Sequence, residues 1–301
     1  MSAQSAIKSV ADTALWMAAV RADEGRRADA AFHDPLGAIL AGDRGRRIAR
    51  SFSRTAMIAW GVVLRTSAID RLIHAALQSG VDTVLNLGAG LDTRPYRMDL
   101  PSQLHWIEVD LPSLVETKNT QLNEYTPVCR LERIGMDLSD RPARSELLAR
   151  VAATSKNALV ITEGFISYFS NDDVAILAKE LLALPAAAFW IQDFDNAGAR
   201  KMPKGWAEKL KAAPFRFRVS NWFEFFKQSG WQPHTIISCA EESKKINRPY
   251  PLDFPFGLLM RALPKEMSQK IQGLSGAVMM KPSAESRELE QRVESAADSQ
   301  R

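Results

Sequence analysis

The chain has 301 residues, 46% of them apolar, and a formal net charge of +4. That is enough for one large α/β domain or two modest ones, and it excludes wholesale disorder. Basic and acidic residues intermingle without a block of like charge, so nothing favours a nucleic-acid partner.

The first eighty residues contain no strand-like alternation. Leu15, Ala18 and Ala19 recur at helical spacing, and TALWMAAV at 13–20 runs straight into RADEGRR, so it reads as one face of a helix. A second helix is expected from about Ser53 to Gln78, where Ile58, Val62, Ile69 and Ile73 keep a three-to-four-residue period. Gly80 stands at its stop. Short apolar runs then predict strands at Thr83–Leu87, Leu104–Val109, Val128–Ile134, Ala158–Thr162, Ala187–Gln192, His234–Ser238 and Gly276–Lys281. Between them lie helix-like segments at Leu111–Glu124, Ser139–Ala153, Asp172–Leu184 and Asn221–Ser229, with Asn171 as an expected N-cap. This alternation implies an α/β fold with a mostly parallel sheet covered on both faces. The apolar stretch LLALPAAAFWI at 181–191 contains a proline and falls short of the roughly 20 residues of a membrane span. The tail from 283 is rich in Ser, Ala and charge and is expected to be disordered. Two cysteines, Cys129 and Cys239, show no metal-like spacing to any of the four histidines. A cytoplasmic setting and no metal site are expected.

The run VDTVLNLGAGLDTR at 81–94 ends its strand at Gly88 and Gly90. In a doubly wound sheet this first strand-to-helix turn lies where ligands bind, and its glycines admit a nucleotide-like molecule close to the backbone. Asp110 ends the second strand about 20 residues on, where a carboxylate accepts both hydroxyls of a ribose. Asp137 ends the third strand, placed with the Leu138 backbone to meet an adenine edge, and Glu163 ends the fourth. Taken singly, each acid suits a helix cap or a solvated loop; together they favour an adenosine-containing ligand. A dinucleotide would want a third glycine near Thr93, which is absent, and no P-loop exists. S-adenosylmethionine lacks phosphate and carries a sulfonium and an ammonium, so acids on the rim suit it. Glu163 would pair with the ammonium.

The motifs NLGAGLDTRPYR at 86–97, EVDLP at 108–112, GMDLSD at 135–140 and TEGFISYF at 162–169 resemble the leucine carboxyl methyltransferase family, which includes bacterial polyketide O-methyltransferases. The stretches 13–42 and LRTSAIDRLI at 64–73 are similar to that family's helical leader and basic helix. The resemblance covers roughly residues 10 to 280 and is weakest after about 195. It implies a Rossmann-like class I methyltransferase sheet, mostly parallel with the last strand antiparallel, flanked by helices and carrying an N-terminal helical lid. S-adenosylmethionine would be the cofactor, bound by Gly88, Gly90, Asp110, Asp137, Leu138 and Glu163. Arg65 would hold the methionine carboxylate, and Arg21 matches a second basic position in the leader, with a solvated helix arginine as the competing reading. Arg94 and Arg97 are open between such roles and pairing with acids near the turn.

Methyl transfer is an in-line displacement that depends on alignment. A carboxylate acceptor is already ionised at neutral pH and needs no base, whereas a hydroxyl does. None of the four histidines lies in a strand-end motif; His33 and His74 could reach the pocket from the leader, and His105 and His234 fall at the wrong ends of strands, so a carboxylate acceptor or catalysis by positioning is expected. Tyr168 is the catalytic candidate, lining the acceptor site, with a core tyrosine as the alternative. An acceptor-site insertion is expected around 195–230, where Trp206, Phe215, Phe217, Trp222 and Phe223 cluster; an ordinary helix on the sheet edge is the other reading, and 215–219 also suits an edge strand. The expected organisation is a lid at 1–80, a cofactor domain at 81–282 and a tail at 283–301. The expected function is a small-molecule O-methyltransferase with no nucleic-acid or membrane partner; homo-oligomerisation stays open. The alternatives are a protein C-terminal carboxyl methyltransferase and a non-catalytic binding module. A nicotinamide oxidoreductase is disfavoured.

Overall fold

The structure, a computed structural model, describes residues 7, 9–51, 55–196, 211–249, 251 and 274–284. Among the described residues seven strands form one sheet: β1 (Thr83–Leu87), β2 (His105–Asp110), β3 (Arg130–Gly135), β4 (Ala158–Thr162), β5 (Ala187–Asp195), β6 (Trp231–Ser238) and β7 (Ser275–Pro282). Their order is β3-β2-β1-β4-β5-β7-β6. The pairs from β3 to β5 are parallel, and β7 runs antiparallel to both β5 and β6. The expected fold class is borne out, the last strand included.

Strands β1 (TVLNL) and β4 (ALVIT) are buried at every position. That is why they read as continuous apolar runs rather than alternating ones. Within them side chains still divide between faces with a period of two. Val84, Trp106, Leu159 and Ile161 meet Ile69, Leu72, Ile73 and Ala76 of the long helix α3 (Thr55–Gln78). Leu85, Ile107, Val160 and Trp190 face the other way, onto helices α6 (Arg141–Thr154) and α7 (Asn171–Leu182) through Leu147, Val151, Val174, Leu177 and Leu181. Each Val, Leu or Ile among them contributes roughly 1.5–3 kcal/mol by leaving water. Helices α4 (Arg94–Arg97), α5 (Pro112–Gln121), α8 (Trp222–Lys227) and α9 (Cys239–Lys245) complete the set that follows β1 among the described residues.

Among the described residues three helices precede β1, not two: α1 (Val10–Gly25), α2 (Pro35–Ser51) and α3. The middle one is hidden in the sequence because glycines and arginines interrupt its apolar period, and the helix itself is broken at Gly42. It packs close against α1; a Cβ on Gly45 would stand 2.6 Å from the Leu15 carbonyl oxygen. The cap of α7 is Ser170, not Asn171: the Ser170 hydroxyl accepts the Asp173 N–H at 3.2 Å. Asn171 instead clasps the Arg218 backbone through both ends of its amide. Strand β6 starts at Trp231, three residues early, because Pro233 is tolerated at the irregularity between Pro233 and Thr235 of an edge strand.

The segment 214–219 is not an edge strand. It is held by the Ser167 carbonyl, which accepts the N–H groups of Arg216 and Phe217. Phe217 and Trp222 are buried and pack on Phe226, so much of the aromatic cluster serves the core. Trp206 and residues 285–301 of the tail lie outside the described residues.

The chain winds from β1 outward through β2 to β3, then restarts at β4 on the other side. The carboxyl edge beside β1 and β4 is therefore the topological switch point, where open α/β sheets bind ligands.

Candidate active site

The turn after β1 carries Gly88 at φ 70 and Gly90 at φ 51, backbone that side chains rarely adopt. The N–H groups of Gly88 and Ala89 donate to the Val109 carbonyl at 2.9 and 3.2 Å, which ties the turn to β2. A Cβ on Gly88 would stand 2.3 Å from Cδ2 of Phe165. The bareness of this residue is thus required by a neighbouring ring of the protein itself, a demand invisible in the sequence. Over Gly90 lies Ala14 of α1, at an ordinary contact distance of 3.5 Å from a built Cβ.

On one flank of the turn, Asp110 receives the Gly90 N–H on Oδ2 and the Leu111 N–H on Oδ1, each at 2.7 Å. An ionised carboxylate offers about four acceptor sites, so capacity for two further hydroxyl donors remains. Burial pushes this carboxyl up, opposed by the Gly90 and Leu111 N–H groups. The Met136 N–H donates to the Asp110 carbonyl at 2.8 Å, which brings the exit of β3 alongside. There Asp137 is exposed, and its Oδ1 accepts the N–H and hydroxyl of Ser139, which hold the carboxyl below its usual range. Leu138 is buried in the core, and its carbonyl accepts a bond from Arg144.

The other flank is an ion network. Glu163 accepts Arg65 Nε at 2.9 Å on one oxygen and Arg94 Nη1 at 2.8 Å on the other. Arg65 also donates through Nη1 to Asp193 at 3.1 Å, and Asp193 Oδ1 accepts the Gly164 N–H at 2.7 Å. Arg94, buried, further binds Asp70 at 2.6 Å and Asp92 at 2.8 Å, and Arg97 grips Asp70 through both Nη atoms. Burial opposes the charge on Glu163, but the guanidinium groups of Arg94 and Arg65 outweigh it and hold the carboxyl below its usual range. Asp92 is lowered against burial chiefly by Arg94.

Arg21 is not solvated. Its Nε donates to Asp34 at 2.8 Å, and Nη2 donates to the Leu91 carbonyl within the turn. Asp34 caps α2 by accepting the Gly37 N–H and also accepts the Thr93 hydroxyl at 2.7 Å. Burial would raise its carboxyl; Arg21 and Thr93 lower it further. Asp34, Asp70, Asp92, Thr93 and Asp193 are not among the site residues expected from the sequence. The signals present were an Asp-Pro helix start in FHDP for Asp34, the GLDTR motif for Asp92 and Thr93, and an acid near the end of the fifth strand in IQDFD for Asp193.

Tyr168 sits in a 3₁₀ turn (Ile166–Tyr168) just past Glu163. Its hydroxyl is 3.2 Å from Thr13 Oγ1 of α1, and its ring lies 5.5 Å from that of Phe215. Burial raises its pKa against the Thr13 hydrogen bond, so it stays protonated at neutral pH. The histidines lie elsewhere. His33 and His74 are exposed, His33 beside the Gly25 carbonyl; His105 pairs with Glu132 at the amino end of β2; His234 stacks on Phe189.

Around Glu163 five carboxylates (Asp34, Asp70, Asp92, Glu163, Asp193) meet four guanidinium groups (Arg21, Arg65, Arg94, Arg97), and Asp110 adds another acid across the turn. Surplus negative charge repels a diphosphate and suits a ligand of net positive charge that carries hydroxyls. S-adenosylmethionine, with a sulfonium, an ammonium and one carboxylate, fits that donor set. Among the described residues no group of three or more His, Cys, Asp or Glu could hold a metal, and no helix is long and apolar enough to cross a membrane.

The family model for leucine carboxyl methyltransferase matches residues 14–181. A provisionally named S-adenosyl-L-methionine-dependent methyltransferase from Streptomyces coelicolor is 34% identical over 183 residues, covering 56% of this chain and 63% of that protein. A protein of the same provisional name from Frankia alni is 35% identical over 185 residues, covering 58% and 65%. The chain thus spans somewhat under two thirds of the length of these relatives. The crystal structure of a provisionally named methyltransferase from Thermobifida fusca shares the fold at a TM-score of 0.53 and 15% identity, over 93% of this chain and 96% of that one.

Proposed function

The chain belongs to the leucine carboxyl methyltransferase family, and from that premise we propose that it is an S-adenosylmethionine-dependent O-methyltransferase acting on a carboxylate or hydroxyl of a small molecule. The observation that carries this reading is the row of acids Asp137, Asp110, Glu163 and Asp193 at the carboxyl ends of neighbouring parallel strands, around a glycine turn.

In this reading Asp110 accepts the ribose hydroxyls, Asp137 and the Leu138 backbone meet the adenine, and the turn at Gly88 and Gly90 supports the sugar. Glu163 pairs with the ammonium, and Arg65 answers the carboxylate. When bound, the cofactor supplies a methyl carbon activated by its sulfonium. The residues of the chain then have to orient an acceptor and keep water out. Helix α1 covers the turn through Ala14, reaches Leu91 through Arg21 and contacts Tyr168 through Thr13, so it acts as the lid. Tyr168, kept protonated, offers a hydroxyl that donates to an acceptor oxygen rather than removing its proton. No described histidine joins this network, which favours an acceptor already ionised at neutral pH, a carboxylate.

A methylation screen with labelled cofactor against small-molecule extract and against protein tests the reading. Label in a small organic acid or ester supports it. Label at a protein C-terminus supports the second reading, which the family's name favours. Saturable cofactor binding with no transfer to either pool indicates a non-catalytic module.

A further inference from the structure

Glu163 and Asp193 each follow the register pair Thr162↔Gln192 of β4 and β5, so they stand side by side, Glu163 just past β4 and Asp193 near the carboxyl end of β5. Two carboxylates this close in a half-buried site need a cation between them. Arg65 spans them, with Nε on Glu163 and Nη1 on Asp193. The second oxygen of Asp193 holds the Gly164 N–H at 2.7 Å. Gly164 has φ 64, and a Cβ there would stand 3.7 Å from Arg65 Nη1, so this left-handed turn presents its open side to the guanidinium. Asp193 therefore grips both the cation from α3 and the backbone that carries Glu163.

We propose that Asp193 is a positioning residue for the amino-acid end of the cofactor, fixing Arg65 and the Glu163–Gly164 turn in one geometry. This rests on the reading of the site as one for S-adenosylmethionine. Loss of the Asp193 carboxylate frees one arm of Arg65 and leaves the Gly164 N–H without its acceptor. The half of the ligand bearing the ammonium and carboxylate feels the change. The adenosine half, on the β1–β3 side, does not.

The test compares the affinities of S-adenosylmethionine and of 5′-methylthioadenosine, which keeps the nucleoside and sulfur but lacks the amino-acid end. Calorimetry on the full chain is run for wild type, Asp193→Ala and Asp193→Asn. For Asp193→Ala the expected result is a loss of roughly tenfold for S-adenosylmethionine, the size of a charged hydrogen bond. Methylthioadenosine should stay within about twofold, as for a site outside its contacts. Asp193→Asn keeps an oxygen for the Gly164 N–H and should recover part of the loss. An unchanged affinity for S-adenosylmethionine, or equal weakening of both ligands, overturns the role. Should Asp193→Ala fail to fold, the ratio of the two affinities in Asp193→Asn decides, and a wild-type ratio overturns the role. A wild-type protein that binds neither ligand overturns the cofactor reading itself, and this role with it; normal wild-type binding with insensitive variants removes Asp193 alone.

Discussion

On the β2–β3 flank of the glycine turn, Asp110 and Asp137 accept hydrogen bonds from uncharged N–H and hydroxyl donors, Asp110 from Gly90 of the turn and from Leu111, Asp137 from Ser139. On the β4–β5 flank, Glu163 and Asp193 are bound by guanidinium groups arriving from α3 and α4. The same residue type is thus prepared in two ways. The first flank keeps unneutralised acceptors that can take ligand hydroxyls without giving up a partner. The second is neutralised in advance, so a zwitterionic ligand end must share or exchange ion pairs already made. Preorganisation of this kind fixes direction, because a group held from several sides can move little.

The contrast is broken most directly at Arg94. Arg94→Met removes the guanidinium that pairs with buried Asp92 and leaves Asp70 to Arg97 and Glu163 to Arg65, and a loss of about 3–5 kcal/mol in stability is expected in chemical denaturation. A midpoint close to wild type would mean that the β4–β5 flank is solvated. Next comes Gly88→Ala, which adds a carbon 2.3 Å from the Phe165 ring at a positive φ. The expected cost is about 2–4 kcal/mol, and trimming the ring in Gly88→Ala/Phe165→Ala should return part of it. No recovery would assign the whole effect to backbone strain.

Acid separates Asp110 from the ion network by sign. Asp34, Asp92 and Glu163 hold their protons less tightly folded than unfolded. Their stabilisation is therefore complete above the ordinary carboxyl range, about pH 4, and is lost as pH falls through their lowered values. Asp110 is raised, so its protonation favours the folded state while removing an acceptor for the ligand. Cofactor affinity should consequently fall before stability does as the pH drops. Coincident loss of both would contradict the distinction.

Asp110→Asn sharpens the first flank. It should weaken S-adenosylmethionine binding by about 1.5–3 kcal/mol in calorimetry, with the thermal midpoint little changed. Unaltered affinity would remove Asp110 from the site. The smallest effect is expected for Tyr168→Phe, which loses the bond to Thr13 at about 0.5–1.5 kcal/mol of stability. Its turnover should fall further than its cofactor affinity, and equal rates would return Tyr168 to a packing role.

The sheet was legible in the sequence because fully buried parallel strands leave short apolar runs, as in ALVIT, and because the turns that follow end in glycine or acid. The strand-end acids Asp110, Asp137 and Glu163 could be found for the same reason: their place is fixed by the strand they terminate. What could not be read is partnership across long separations. Nothing near Asp70 says that it will hold two arginines of α4, and nothing near Gly88 announces Phe165. Helix α2 escaped because Gly37, Gly42 and Gly45 break its apolar period, the last of them lying against the Leu15 carbonyl of α1. The solvated reading of Arg21 stayed open because its partner, Asp34, sits across a helical hairpin whose second arm was not foreseen.

The central claim is that one ligand lies across both flanks, nucleoside at Asp110 and amino acid at Glu163. A crystal structure of the full chain grown with S-adenosylhomocysteine tests it most directly. The account predicts density for the ribose within hydrogen-bond distance of Asp110 and for the amino-acid end beside Glu163 and Arg65. Density for the ligand on any other surface, with the two flanks unchanged and bare, would contradict it.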